Sequence, residues 1–208
     1  MSLTKNFKTD ILLALYIASL ILANILGIKI TTILGIRVSV GIFFVPLLFL
    51  ITDIIADVHG AQKARRFVFL AIGIMLFSIL MVYISIIMPA NETWGNQEAY
   101  AEIFGATLRM TLASIIAFVI SQTHDVWAFS FLKRKTHGKY LWLRNNLSSW
   151  TSQFIDTTIF MFVAFYHVTP KFTVPFIFSL IIPYWLFKVV FAIIDTPLCY
   201  VGVKWLKK

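Results

Sequence analysis

The sequence predicts an all-α integral membrane protein with six transmembrane helices and both termini in the cytoplasm. Of the 208 residues, 60% are hydrophobic and 13% are charged, and the mean hydropathy is +0.87. Soluble domains are about 45–50% apolar and about 25% charged. Most Lys and Arg residues lie at the ends of apolar stretches, as expected for loops that face an anionic cytoplasmic leaflet. The location of these bases therefore predicts contact with the cytoplasmic (inner) membrane. It also predicts that the net charge of +9 does not serve direct contact with nucleic acid.

Six stretches are long and apolar enough for a helix that crosses the hydrocarbon, which takes about 20 residues. They cover residues 10–28, 38–58, 67–88, 107–131, 147–168 and 174–201. The first stretch follows Lys5 and Lys8, and no small-residue cleavage site closes it, which favours a retained helix over a signal peptide. With an even number of spans, all the basic clusters fall in the cytoplasm only when both termini are cytoplasmic.

Proline residues agree with these boundaries. Pro89 follows the third stretch and Pro170 lies between the fifth and the sixth. Pro183 and Pro197 lie inside the sixth stretch, where they remove backbone hydrogen bonds and predict a kink. Because no separate soluble segment is visible, the sequence predicts a single transmembrane domain, residues 1–208.

The second apolar stretch ends in two aspartates, Asp53 and Asp57, four residues apart and therefore on one helix face. Gly60 then ends the helix, and the basic pair Arg65 and Arg66 follows. Acids are rare within membrane spans and generally serve a function there. We therefore predict that Asp53 forms one wall of a polar site inside the bundle, whereas Asp57 and the bases lie near the membrane surface.

Polar side chains recur within the other spans. Each Asp or Lys near the middle of a span costs roughly 2.5–3.5 kcal/mol on insertion, so one shared, hydrated cavity is the simplest explanation for them. One of the acids could instead only neutralise the buried lysine in a structural ion pair. The predicted substrate-binding residues are Asn24, Asp53, Gln122, Asp125, Gln153, Asp156 and Lys188.

A short motif in the fourth span is repeated in the fifth. Ser121-Gln122-Thr-His124-Asp125 is echoed by Ser152-Gln153-Phe-Ile-Asp156. Because consecutive spans run in opposite directions, we expect Gln122 to lie at the depth of Asp156, and Asp125 to lie near Gln153.

No catalytic residue, metal site or cofactor is predicted. Asp53, Asp57 and Gly60 resemble part of the metal-binding motif of CDP-alcohol phosphotransferases, but the spacing of the acids differs and residues 67–88 contain no acid. No signature of an intramembrane protease occurs either. The sequence thus favours a protein that is not an enzyme.

Taken together and in order, these motifs resemble those of the queuosine precursor transporter family, also called the vitamin uptake transporter-like family. The similarity extends over nearly the whole chain, beginning with Asn24 and Lys29. His59 and Asp57 depart from the family's usual residue types. The matching motifs are Thr52-Asp53 with Gly60 and Ala64-Arg65-Arg66, Gln122 with Asp125-Val126, Gln153 with Asp156-Thr157, and Phe187-Lys188 with Pro197.

The resemblance implies a six-helix importer of 7-deazaguanine bases, the nitrile and aminomethyl precursors of queuosine in tRNA. A guanine-like base presents a ring N–H beside an exocyclic amine, and these two donors fit one carboxylate. The implied partners are then a small purine-like substrate and the lipid bilayer. Asp53, Asp125 or Asp156 would bind the donor edge, and Lys188 or a glutamine amide would bind the carbonyl.

A second hypothesis is the substrate-binding subunit of an energy-coupling-factor vitamin importer. Those subunits also have six helices in about the same length, and Ala14-x-x-x-Ala18 would be a docking face for close helix contact. This hypothesis adds an ATPase module as a partner. The sequence leaves open whether the chain forms a homodimer.

Overall fold

Most of the chain is α-helical in the computed structural model, which describes residues 4–27, 29–33, 36–105, 107–166, 170 and 172–207. A short antiparallel hairpin, β1 (Ile30–Ile33) and β2 (Ile36–Ser39), and a 3-10 helix (Val40–Phe43) lie between the first two helices. The helices are α1 (Lys5–Leu26), α2 (Val45–Val58), α3 (Ala61–Ile87), α4 (Gln97–Gly105), α5 (Thr107–Lys135), α6 (Leu141–Phe165) and α7 (Val174–Lys207).

The long helices confirm a multi-pass α-helical membrane protein. Within the described residues, five segments are long and apolar enough to cross a membrane: Lys5–Leu26, Val40–Val58, Ala61–Ile87, Gln97–Lys135 and Val174–Lys207. Helix α6 is more polar and falls outside this group, but its 25 residues span about 37 Å at 1.5 Å per residue. It packs between α5 and α7, so neighbouring helices cover its polar side chains.

The second predicted span begins later than expected. The sequence predicted a helix from residue 38, whereas β2 and the 3-10 helix occupy residues 36–43 and α2 begins at Val45. Pro46 explains the position of this start, because proline suits the first turn of a helix and breaks its interior. The 14 residues of α2 cover about 21 Å, less than the hydrocarbon thickness of about 30 Å. The non-helical segment therefore extends the span.

The hairpin is a local exception in a chain that is otherwise α-helical, as predicted. The β1 residues Ile30–Ile33 are β-branched, which favours an extended chain. Ser39 anchors the end of β2, because its hydroxyl donates to the Gly27 carbonyl (2.6 Å) and accepts from the Gly41 amide (3.1 Å). These contacts give the Gly27 carbonyl and the Gly41 amide hydrogen-bond partners that hydrocarbon could not supply.

The other helices mostly extend beyond the predicted apolar stretches. Helix α3 begins six residues earlier, at Ala61, and α7 continues to Lys207. The apolar stretch marks only the part of a helix inside the hydrocarbon, so polar residues at the ends escape a hydropathy pattern. The predicted span ends at residues 28 and 168 lie outside the described residues. Pro183 and Pro197 both lie within α7, and the kink stays a prediction.

The first and last helices meet at one end of the bundle. The Lys8 ammonium donates to the Trp205 carbonyl (2.9 Å) and lies 5.4 Å from the centre of the Trp205 ring. At the same end, the Thr9 hydroxyl is 2.9 Å from Nε2 of His59, just after α2. We call this the basic end, because Lys133–Lys135 of α5 and Lys207 of α7 also lie here.

Helix α2 forms the centre of the bundle. Within its apolar window 72% of the residues are buried, against 22–36% for the other four apolar segments. Helix α7 contacts α2 closely at Gly202, because a Cβ atom there would overlap the Ile54 side chain and lie 3.1 Å from its Cγ1 atom. A side chain at position 202 would therefore displace the end of the Ile54 side chain.

We predict that Gly202→Leu lowers the free energy of unfolding by about 1–3 kcal/mol, because α2 and α7 must separate to admit the side chain. Thermal unfolding of the purified protein in detergent measures the effect. Gly73→Leu is the matched control, since a Cβ atom at Gly73 would meet nothing within 4 Å. Ile54→Ala should restore part of the stability that Gly202→Leu removes. Equal destabilisation by both glycine variants would contradict this account.

Candidate functional site

Polar side chains are buried where α2 faces α5. Thr52, Asp53, Gln122 and Asp125 are each at most 1% exposed. The Thr52 hydroxyl lies 3.4 Å from Oε1 of Gln122 and 3.5 Å from Oδ2 of Asp125. The carboxyl groups of Asp53 and Asp125 are in hydrogen-bonding contact with each other. Two acids predicted from separate motifs therefore occupy one site.

Helix α6 supplies hydroxyl groups to these acids. Ser149 lies 3.5 Å from Oδ2 of Asp53, and Ser148 and Ser152 lie close to Asp125. The three serines are at most 3% exposed. Their spacing matches one face of a helix, and this face is polar because it packs against the acids of α2 and α5. Burial of polar groups in hydrocarbon is affordable only when such partners are present.

An ion pair joins α6 to α7 beside this group. The Lys188 ammonium donates to Oδ2 of Asp156 (2.9 Å) and to the Thr157 hydroxyl (3.0 Å), and it lies 5.3 Å from the centre of the Tyr184 ring. The second carboxylate oxygen of Asp156 accepts from the Ser121 hydroxyl (3.2 Å). Of the three acids that could have paired with Lys188, the structure selects Asp156.

The relative depths of α5 and α6 agree with the repeated motif to within one residue. Ser121 contacts Asp156 (3.2 Å), one position from the expected pairing with Gln122. His124 contacts Ser152 (2.9 Å), one position from the expected pairing of Asp125 with Gln153. The antiparallel pairing of these helices is confirmed.

The glutamine side chains have unused hydrogen-bonding groups. Gln153 is 0% exposed, and neither its amide oxygen nor its amide nitrogen has a partner in the described part of the chain. The Gln122 oxygen accepts from the Tyr16 hydroxyl (3.1 Å), whereas its nitrogen has no partner among these residues. A buried polar group without a partner costs about 1–3 kcal/mol. Such groups are rare and often mark functional positions.

Asn24 differs from the other predicted site residues. It is partly buried, and its amide nitrogen donates to the Leu20 carbonyl of its own helix (2.8 Å). Asparagine in a helix often bonds back to the preceding turn in this way.

The structure thus brings Asp53, Gln122, Asp125, Gln153, Asp156 and Lys188 to the facing sides of α2, α5, α6 and α7, with Asn24 bonded within α1.

Sequence reasoning missed the residues that support this cluster. Tyr16 of α1 is 0% exposed and donates to Gln122, but a lone tyrosine in an apolar stretch gives no signal. The polar face of α6, in contrast, did carry a signal in the sequence. Its buried polar residues are spaced at helical intervals inside a predicted span, namely Ser148, Ser149, Ser152, Gln153 and Thr157.

Asp57 lies at the basic end, but its side chain is buried there. It is 8% exposed, and its carboxylate accepts from Arg144 (3.0 Å) and Lys207 (2.9 Å), with Lys133 at 3.3 Å. Arg144 is itself 2% exposed and lies 5.2 Å from the centre of the Phe129 ring. Three cations from α5, α6 and α7 surround this acid, which explains how it can be buried.

Comparison with known proteins places these residues in a family. The family model described as "Putative vitamin uptake transporter" matches residues 39–202. The chain belongs to this transporter family. The matched region of the transporter runs from the end of β2 into α7, so it contains every predicted site residue except Asn24.

Individual relatives agree with the family match. The transporter is 32% identical over 184 residues to a "Probable queuosine precursor transporter" of Bacillus subtilis (strain 168), covering 88% of this chain and 79% of the relative. It is 28% identical over 163 residues to a "Queuosine precursor transporter" of Escherichia coli (strain K12), covering 78% and 71%. No solved structure is significantly similar to the transporter. The family resemblance seen in the sequence is confirmed.

The buried ion pair gives a stability test. We predict that Lys188→Met lowers the free energy of unfolding by about 3 kcal/mol, because it leaves Asp156 without its cation. The double variant Asp156→Asn/Lys188→Met should be more stable than Lys188→Met alone. Thermal unfolding of the purified variants measures both, with the exposed Lys139→Met as control. A Lys188→Met protein as stable as the control would show that the pair contributes nothing.

Proposed function

We propose that this transporter imports queuosine precursors, 7-cyano-7-deazaguanine and 7-aminomethyl-7-deazaguanine, for tRNA modification. The names of the relatives support the substrate class, and the buried polar cluster supports a small polar ligand inside the bundle. The protein acts as a transporter and not as an enzyme, and it needs no cofactor. Its whole chain forms one domain in the cytoplasmic (inner) membrane.

The proposed topology has six spans with both termini in the cytoplasm. Helix α6 adds the sixth crossing to the five apolar segments. The contact between Lys8 and Trp205 holds the first and last helices together at one end, in agreement with an even number of crossings. That end is the basic end, and basic residues favour the cytoplasmic side.

Gln153 is the observation that carries the proposed binding site. Its buried amide offers a donor group, the NH2, and an acceptor group, the carbonyl oxygen, and neither has a partner among the described residues. A guanine-like base presents a carbonyl acceptor, to which the amide N–H of Gln153 would donate. A ligand that bonds Gln153 would therefore recover the cost of burying the amide without partners.

The neighbouring groups fit the rest of such a base. Asp53 or Asp125 would accept hydrogen bonds from the ring N–H and the exocyclic amine, since one carboxylate can accept two parallel donors. Gln122 would donate its unused amide hydrogen to the substrate. Whichever of Asp53 and Asp125 does not hold the donor edge would bind the ammonium group of the aminomethyl form, because Asp156 already pairs with Lys188.

Asn24 has a different proposed role, because its amide already donates to Leu20. It would contact the substrate only after that bond within α1 breaks. It is therefore proposed as a contact made during entry rather than in the bound state.

Gln153→Met tests the site directly. We predict a higher unfolding temperature without ligand, because the variant removes an unpartnered buried amide, and about 10- to 100-fold weaker binding of both precursors. A thermal-shift titration with both precursors, guanine and biotin measures the two effects, since ligand that binds the folded state stabilises it. Gln62→Met, at an exposed position in α3, is the matched control. Unchanged precursor binding by Gln153→Met would remove Gln153 from the site.

Reconstitution separates this proposal from the substrate-binding subunit of an energy-coupling-factor importer. We predict that the purified chain alone, in liposomes without any ATPase module, takes up labelled precursor in a saturable manner. Asp53→Asn should lower this uptake at least tenfold, because an amide cannot accept two parallel donors as a carboxylate does. Absence of uptake together with stabilisation by biotin only would favour the vitamin importer subunit.

A further inference from the structure

A cavity of about 760 Å³ lies at the basic end, away from the proposed substrate site. It lies among the ends of α2, α5 and α7 and the start of α6. Its charged lining consists of one acid and four cations, a formal charge of +3, contributed by Asp57, Lys133, Arg144, Lys204 and Lys207.

The positive charge of this cavity is not balanced by the residues that the structure describes. Asp57 is shared by Arg144, Lys207 and Lys133 at 2.9–3.3 Å, so one negative charge faces three positive ones. Lys204 is exposed, and no ion pair joins it to an acid within the described part of the chain. The cavity therefore has an excess of positive charge.

Arg144 gives a second, independent indication of a ligand. It is 2% exposed and lines the cavity, yet its Nε atom has no hydrogen-bond partner among the described residues. Its two terminal nitrogens are used, one by Asp57 and one by the Gly138 carbonyl (3.2 Å). A buried guanidinium that shares its one acid with two other cations is costly, and an anion in the cavity would offset this positive charge.

We propose that this cavity binds a phosphate group, supplied by the headgroup of an anionic phospholipid or by a soluble phosphate anion. Guanidinium and ammonium groups together are the usual protein partners of phosphate. Val201 and Tyr200, 65% and 45% exposed, form an apolar wall of the cavity on the outer surface of α7. An acyl chain would lie against this wall, and basic pockets between membrane helices bind lipid headgroups. The wall favours the lipid as the source.

Binding of a phosphate group would join four helices at one end. Asp57 ends α2, Lys133 lies in α5, Arg144 begins α6, and Lys204 lies in α7. The anion would compensate the repulsion among their cations and so stabilise the closed packing of this end. This effect does not depend on which substrate the transporter carries.

Thermal unfolding of the delipidated protein in a non-ionic detergent tests the proposal. We expect phosphatidylglycerol to raise the unfolding temperature above the value in phosphatidylcholine, and added salt to weaken the difference. Stabilisation by inorganic phosphate alone, without a preference for phosphatidylglycerol, would support the site and assign it to a soluble anion. No stabilisation by either, relative to phosphatidylcholine and chloride, would overturn the proposal.

Lys204→Gln shows whether the effect arises in this cavity. We expect about fivefold weaker binding of phosphatidylglycerol in a native mass spectrometry titration, since one lysine near the headgroup is lost. Arg65→Gln removes one charge from an exposed position at the same end, outside the cavity, and should leave binding unchanged. An equal loss in both variants would mean a general surface-charge effect and would overturn the proposal.

Discussion

The cost of placing polar groups in hydrocarbon determines how this bundle is packed. Such groups need partners inside the protein, because the membrane core contains no water to supply them. Helix α6 therefore lies between α5 and α7, where its serines meet Asp125 and its Asp156 meets Lys188. The long helix without a membrane-length apolar stretch thus holds the polar site together.

The same constraint explains how the short helix α2 can stand at the centre. Its 14 residues do not reach across the hydrocarbon, so non-helical backbone must complete the span. Ser39 makes this acceptable, because its hydroxyl binds Gly27 and Gly41 and it hydrogen-bonds Tyr184 of α7. Tyr184 in turn lies beside Lys188, so the hairpin segment and the buried ion pair are parts of one contact network.

Features that depend on local pattern could be predicted from the sequence, and features that depend on distant partners could not. The apolar stretches located the long helices, and the repeated motif predicted Gln122 at the depth of Asp156, one residue from the observed contact of Ser121. The hairpin lies mostly between the first two predicted spans and was not predicted, because four-residue strands are too short to stand out in a search for long apolar stretches. The burial of Asp57 depends on Arg144 and Lys207, which are 87 and 150 residues away in the chain. No short motif records such a pairing.

The position of Lys188 in the last helix has a consequence for biosynthesis. A ribosome makes the chain from its N-terminus, so Asp156 in α6 is synthesised before its cation in α7 exists. The nascent protein therefore passes through a stage with an acid in α6 that lacks its countercharge, and translation of the final helix ends that stage. A ribosome that stops before α7 would leave a chain with this acid uncompensated, a defect by which membrane quality control could distinguish it from the finished protein.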